Sequence, residues 1–169
     1  MRKLTSPFVS FWISVAGTAL WVVPAAQAAT TTTTFPVTAT VLKACFVSAT
    51  ALSFGNYDPT ATVPLDSTAT LTVLCTVGTS FTVGLNAGTV SGGTVTTRRM
   101  TSGANTLGYG LFQDTGRATN WGSTPGTDTP AAITAPIAAS SLTVFGRVVA
   151  GQNVPTNTYT DTITVTVNY

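Results

Sequence analysis

The side chains able to do acid–base, nucleophilic or metal chemistry in this chain are few. The only acids are Asp58, Asp66, Asp114, Asp128 and Asp161, and the sequence contains neither histidine nor glutamate. Without histidine there is no Ser-His-Asp or Cys-His nucleophile pair and no imidazole metal ligand. Asp58, Asp114 and Asp161 are the conceivable calcium ligands. Asp58 precedes Pro59 in a turn signal and the other two sit near strand ends, so capping of turns is the expected use. Arg98 and Arg99 could touch a polyanion, yet neighbours on a strand project to opposite faces, and a surface ion pair is expected instead. Trp121 is expected as a core or loop anchor rather than a sugar platform, and Tyr109, Leu111 and Phe145 as packing residues. No catalytic, cofactor-binding or metal-ligating residue is assigned, no cofactor is expected, and an enzyme is the weakest class.

Composition narrows the elements that must position these residues. Only 7% of residues are charged, 44% are hydrophobic, and threonine occurs 37 times. Scarcity of lysine and glutamate removes good helix formers, while the apolar content is too high for a disordered chain. A net charge of +2 leaves no electrostatic footprint for nucleic acid. An all-β protein rich in Thr, Val and Gly is expected.

The amino terminus reads as a cleaved signal peptide over residues 1–28. Arg2 and Lys3 precede an almost uncharged apolar run, and Ala26-Gln27-Ala28 supplies the small-x-small cleavage pattern. The 16 residues between Pro7 and Pro24 fall short of the roughly 20 needed to span hydrocarbon, so no stable membrane insertion is expected. Loss of Arg2 and Lys3 leaves five basic and five acidic side chains in a mature chain of 141 residues. Cys45 and Cys75, an even pair in an exported chain, read as one disulfide.

Alternation with period two dominates the remainder. It is clearest at the carboxyl end, where Ile163, Val165, Val167 and Tyr169 share one face and Thr162, Thr164, Thr166 and Asn168 the other. A half-buried antiparallel strand over 159–169 is expected. Similar runs lie at Leu71/Val73/Cys75, Phe81/Val83/Leu85, Leu107/Tyr109/Leu111 and Leu142/Val144. Turn signals at 56–59, 77–79, 91–93 and 102–105 separate them, and residues 114–139 read as a long irregular connection. Short strands with Gly/Pro turns suggest a β-sandwich. Ahead of Cys45, a threonine tract runs into Phe35-Pro36-Val37-Thr38-Ala39-Thr40-Val41, which again keeps apolar residues on one face. This segment reads either as the first strand of its own sandwich, with Pro36 tolerated on an edge, or as a strand that completes a neighbour's.

The ordered series Ala39–Cys45, Leu52-Ser53-Phe54-Gly55-Asn56-Tyr57-Asp58-Pro59, Leu71–Cys75, Leu85-Asn86-Ala87-Gly88, Arg99-Met100, Leu107–Asp114, Trp121-Gly122, Phe145-Gly146-Arg147 and Tyr159–Val167 resembles the spore coat protein U-like family. That family includes the pilin subunits of archaic chaperone–usher pili. The resemblance implies an incomplete immunoglobulin-like β-sandwich over residues 44–169, completed by a donated amino-terminal strand, with an extension over 29–43. Phe35, Val37, Ala39 and Val41 then become the donor-strand residues, and Ile163, Val165, Val167 and Tyr169 one edge of the acceptor groove. The implied partners are homologous subunits in a head-to-tail polymer, a periplasmic chaperone and an outer-membrane usher, in a protein exported through the periplasm to a surface fibre serving adhesion or biofilm formation. The family also includes secreted coat proteins, so a self-complemented coat protein stands as an alternative, as does a minor adhesive subunit.

Overall fold

A computed structural model of the chain describes residues 26–169, so most of the expected signal peptide lies outside the described residues. Residues 26–39 belong to one unit and Thr40–Tyr169 to another. Residues 26–39 carry no regular element, and all are exposed.

The second unit is built from eight strands: β1 (Cys45–Ala49), β2 (Leu65–Cys75), β3 (Ser80–Leu85), β4 (Arg98–Ser102), β5 (Asn105–Phe112), β6 (Ile133–Thr134), β7 (Ser140–Val148) and β8 (Val165–Asn168). They form a five-stranded sheet in the order β1-β2-β7-β5-β4 and a three-stranded sheet in the order β6-β3-β8. Every strand pairing is antiparallel. The threonine-rich alternation explains the layering. On β2, Ala69, Leu71, Val73 and Cys75 are buried while Thr72 and Leu74 face out, so β-branched hydroxyls furnish the wet face of a pleat whose other face is apolar. Phe81, Val83 and Leu85 of β3 close the core from the second sheet, each 1% exposed.

Cys45 and Cys75 stand directly opposite each other in the β1–β2 register and are disulfide-bonded. Main-chain bonds between Thr76 and Ala44 and between Thr50 and Thr70 bracket the ladder, which makes the cysteines a non-hydrogen-bonded pair, where opposed side chains lie closest. The end of the sandwich at this bridge is called the cystine end below. β2 turns there through Gly78, whose φ of 80° suits glycine, and enters the second sheet as β3.

The far end is held by buried polar groups. Trp121 is 1% exposed, and its indole Nε1 donates to the Val83 carbonyl at 2.8 Å, the anchoring role expected of it. Arg98 corrects the sequence reading. Instead of a surface ion pair it is 0% exposed, and its guanidinium donates to four carbonyls, those of Asn86 (2.8 Å), Val95 (2.6 Å), Leu85 (3.0 Å) and Trp121 (2.7 Å). Carbonyls stranded where β3 ends need donors, and a planar five-donor fork supplies them from a single side chain. Desolvation pushes Arg98 below its ordinary value, while Tyr109, Asp128 and Asp161 act in the opposite direction. The surface ion pairs that do form join Asp66 to Arg147, opposite it on β7, at 2.7 Å and to Arg117 at 3.2 Å.

The carboxyl end is the second correction. Burial alternates from Tyr159 to Asn168 as expected, but only Val165–Asn168 is strand. The segment divides its pairing: Thr160 bridges Thr101 of β4 in the first sheet, and Val165–Asn168 pair with β3 in the second. A chain crossing between sheets cannot keep one ladder, so the single expected strand is interrupted around Asp161. The long connection over 114–139 is irregular apart from the two residues of β6.

Two stability predictions follow from these contacts. Reducing the Cys45–Cys75 bridge should cost roughly 3–4 kcal/mol through the loop it closes, read as a lower urea midpoint. Arg98→Met should cost roughly 3–5 kcal/mol by leaving buried carbonyls without donors, with Arg98→Lys only partly restoring the midpoint because an ammonium lacks the fork geometry.

Candidate acceptor groove between two sheet edges

An apolar cleft of 320 Å³ opens between β1, with the chain that follows it, and the carboxyl-terminal segment. Ala49, Thr50, Leu52 and Phe54 lie on one side and Tyr159–Asp161, Ile163 and Val165 on the other, while Leu71, Leu111 and Val144 of the core form its floor. It adjoins a second hollow of 470 Å³ bounded by residues 52–57 with Pro59 and by residues 154–159; the two share Leu52, Phe54, Met100 and Tyr159. The two walls therefore run in opposite chain directions along one continuous cleft.

Backbone parity fixes what the walls present. The Leu85 amide donates to Gly122 at 2.8 Å, and the Leu85 and Val83 carbonyls accept from Arg98 and Trp121, so these residues turn their main chain away from β8. Thr82, Gly84 and Asn86 must then bond the carboxyl-terminal strand, and Asn86 donates to the Thr164 carbonyl at 3.2 Å. In an antiparallel ladder the intervening residues point their N–H and C=O the other way. Ile163, Val165 and Val167 therefore direct side chains into the core and main-chain groups out to the free edge. On β1, Ala44 and Thr50 bond β2, which leaves Cys45, Val47 and Ala49 with main-chain groups on the outer edge. No strand among the described residues pairs with either edge.

One charged group lies in this apolar setting. Asp161 accepts from the Thr89 amide (2.8 Å) and hydroxyl (3.0 Å), the Thr162 amide (2.7 Å) and the Tyr109 hydroxyl (2.7 Å). Burial alone would raise its carboxyl, but these hydrogen bonds outweigh it and hold the group below the ordinary carboxylate range. Tyr109 responds in the opposite sense: desolvation, then its bond to Asp161, pushes the phenol far up. Gly88 makes room, since its φ is 89° and a Cβ there would collide with the Asp161 carboxylate. Asp161 thus pins the point where the carboxyl-terminal segment crosses between sheets. Asp58 and Asp114 have the expected turn-capping roles, Asp58 on Thr60 and Asp114 on the Ala118 and Thr119 amides.

Of the expected groove-edge residues, Ile163 and Val165 line the cleft, while Val167 packs against the core further along β8 and Tyr169 follows it, 58% exposed. The expected donor residues have no strand of their own: Phe35, Val37 and Val41 are about four-fifths exposed, and Ala39 is exposed too. The opposite wall, from Ala49 to Tyr57, is not among the groove residues expected from the sequence. Its Leu52/Phe54 alternation is the signal that could have marked it.

Comparison with known proteins agrees with this architecture. The Spore Coat Protein U domain matches residues 31–166. Protein U of Myxococcus xanthus is 36% identical over 160 residues, covering 85% of this chain and 88% of that protein. Among solved structures, a chain in the CsuC-CsuE chaperone–tip adhesion subunit pre-assembly complex, from archaic chaperone-usher Csu pili of Acinetobacter baumannii, superposes with a TM-score of 0.56 at 26% identity. The match covers 77% of this chain and spans 40% of that one. An incomplete immunoglobulin-like sandwich, a disulfide across its first two strands and a match over nearly the whole described length point one way: this chain belongs to the Spore Coat Protein U domain family, a family of structural coat and pilus subunits rather than enzymes.

Proposed function

We propose that this protein is an exported fibre subunit that polymerises by donor-strand exchange, its residues 35–41 filling the groove of the next copy. The observation that carries the reading is the pair of facing edges, each with apolar side chains turned inward and main-chain groups unpaired. That arrangement is a sandwich short of one strand. Strand addition satisfies both rows of main-chain groups at once, with side-chain pockets selecting register. Phe35, Val37, Ala39 and Val41 have the required spacing, and each large side chain buried contributes about 1.5–3 kcal/mol before the cost of ordering the segment. Pro36 has no amide hydrogen, so one position in the new ladder goes without a bond.

Chain direction favours a linear polymer. β8 ends, and β1 begins, at the cystine end. A donor antiparallel to β8 leaves the groove at the opposite end, beside Tyr57 and Pro155. Its own body is then placed away from the point where the acceptor's extension departs. Head-to-tail contacts of this kind do not close, and they generate a filament.

An unfilled apolar edge is an aggregation hazard, so a periplasmic chaperone that occupies the groove, and an outer-membrane usher where subunits exchange, are the partners implied. Residues 1–28 serve as the export signal, and adhesion or biofilm formation is the role of the resulting surface fibre. The likeness to Protein U favours one second reading, a coat protein that fills the groove with its own segment.

Deletion of residues 30–41, co-expressed with a cognate chaperone, separates these readings. Donor-strand exchange predicts a truncated subunit that is held by the chaperone and fails to polymerise. A stable truncated monomer independent of chaperone would refute it, and loss of folding in dilute, unpolymerised protein would favour self-complementation. Val37→Asp should likewise stop fibre growth, scored by electron microscopy. Acid should loosen the groove with a defined sign. Asp161 is depressed, so its contribution is complete above the unfolded carboxyl value of about 3.9 and is lost as pH falls through the lower folded value. Asp161→Asn should remove that component from the acid-unfolding profile.

A further inference from the structure

The exposed large hydrophobic side chains of the folded unit are not scattered. Among the described residues, Leu42, Phe46, Leu74, Val77, Ile137 and Tyr169 gather at the cystine end. Val63 and Val149 lie at the opposite end, just past Leu65 and Val148, which face each other in the β2–β7 register. Between the two groups the outer face of the five-stranded sheet carries Ser48, Thr68, Thr70, Thr72, Ser141 and Thr143, and the two aromatic residues there, Phe112 and Phe145, are partly buried, Phe145 beneath the Arg117 guanidinium. The ten steps of β2 separate the ends by roughly 33 Å. Phe46 and Leu74 are opposite each other across β1 and β2, 68% and 47% exposed. Single exposed apolar residues need no explanation, but two end patches separated by a face with no fully exposed large apolar side chain do.

We propose that these ends meet in the fibre: Phe46, Leu74 and Leu42 of one subunit pack against the Val63/Val149 end of the subunit whose groove receives its strand. The inference rests on the donor-strand reading and adds a contact that reading does not require. Two observations select a second copy of this chain as the occupant. Val41, the last donor residue, is only four Cα steps from Cys45, at most about 14 Å of chain. A subunit whose extension leaves its neighbour beside Tyr57 and Pro155 therefore holds its cystine end against that neighbour's far end. The patches are also unlike and lie at opposite ends, so they fit a heterologous, repeating contact and not a two-fold dimer. Burying Phe46 and Leu74 there fixes the angle between successive subunits, which a bare strand tether would leave loose.

The test uses assembled fibres of Phe46→Cys combined with Val149→Cys, treated with a short bismaleimide. A ladder of covalent oligomers on a denaturing gel is expected. Thr68→Cys with Thr143→Cys, placed mid-sheet, should give no ladder. As a second measurement, Phe46→Ser with Leu74→Ser should still form fibres, because the donor strand is intact, and should widen the spread of inter-subunit angles in electron micrographs. Fibres that form normally yet give no ladder, or whose angles do not change in the serine variant, overturn the end-to-end contact and leave strand donation standing. Absence of fibres from the unmodified chain overturns strand donation, and this contact with it.

Discussion

A main-chain amide or carbonyl removed from water must find a partner, and two rows of such groups face each other across one side of this sandwich. Residues 163, 165 and 167 supply one row, and residues 45, 47 and 49 the other. Cys45, Val47, Ile163, Val165 and Val167 also pack their side chains against the core, so the edges cannot be protected by charge or by twisting away without opening the core itself. Strand and core thus leave one opening, a pair of edges whose main-chain groups a further strand could satisfy.

Much of the remaining structure keeps that vacancy in shape. The cystine fastens the β1 wall to β2 at one end. At the other, Asp161 fixes the crossing of the carboxyl-terminal segment through Thr89, Thr162 and Tyr109. Arg98 and Trp121 occupy carbonyls of β3 on its side away from β8. With those carbonyls taken, the unsatisfied groups of the second sheet are concentrated on the outer edge of β8, where an incoming strand would lie. These polar residues therefore decide where the sheet remains open.

The sequence made the strands legible because threonine and valine alternate with few interruptions, and burial from Tyr159 to Asn168 follows that alternation residue by residue. Periodicity reports which face is wet. It carries no information about which strand lies alongside, so the division of the carboxyl-terminal segment between Thr101 and β3 was invisible. Arg98 was misread for a related reason. A charged residue beside another charged residue looks like surface, and the carbonyls that hold it come from three separate stretches: 85–86, 95 and 121. The Leu52/Phe54 wall was hidden because it bounds the cleft without pairing as a strand.

Residue-resolved amide hydrogen exchange tests the central claim most directly, on the isolated subunit with and without a peptide of residues 29–43. The account predicts that Ile163, Val165, Val167, Val47 and Ala49 exchange quickly in the free subunit and become protected with the peptide. Thr166 and Asn168, already bonded to β3, should be slow in both states. Equal protection of Val165 and Thr166 in the free subunit, or no change at Val165 and Val167 when the peptide is added, would contradict the account.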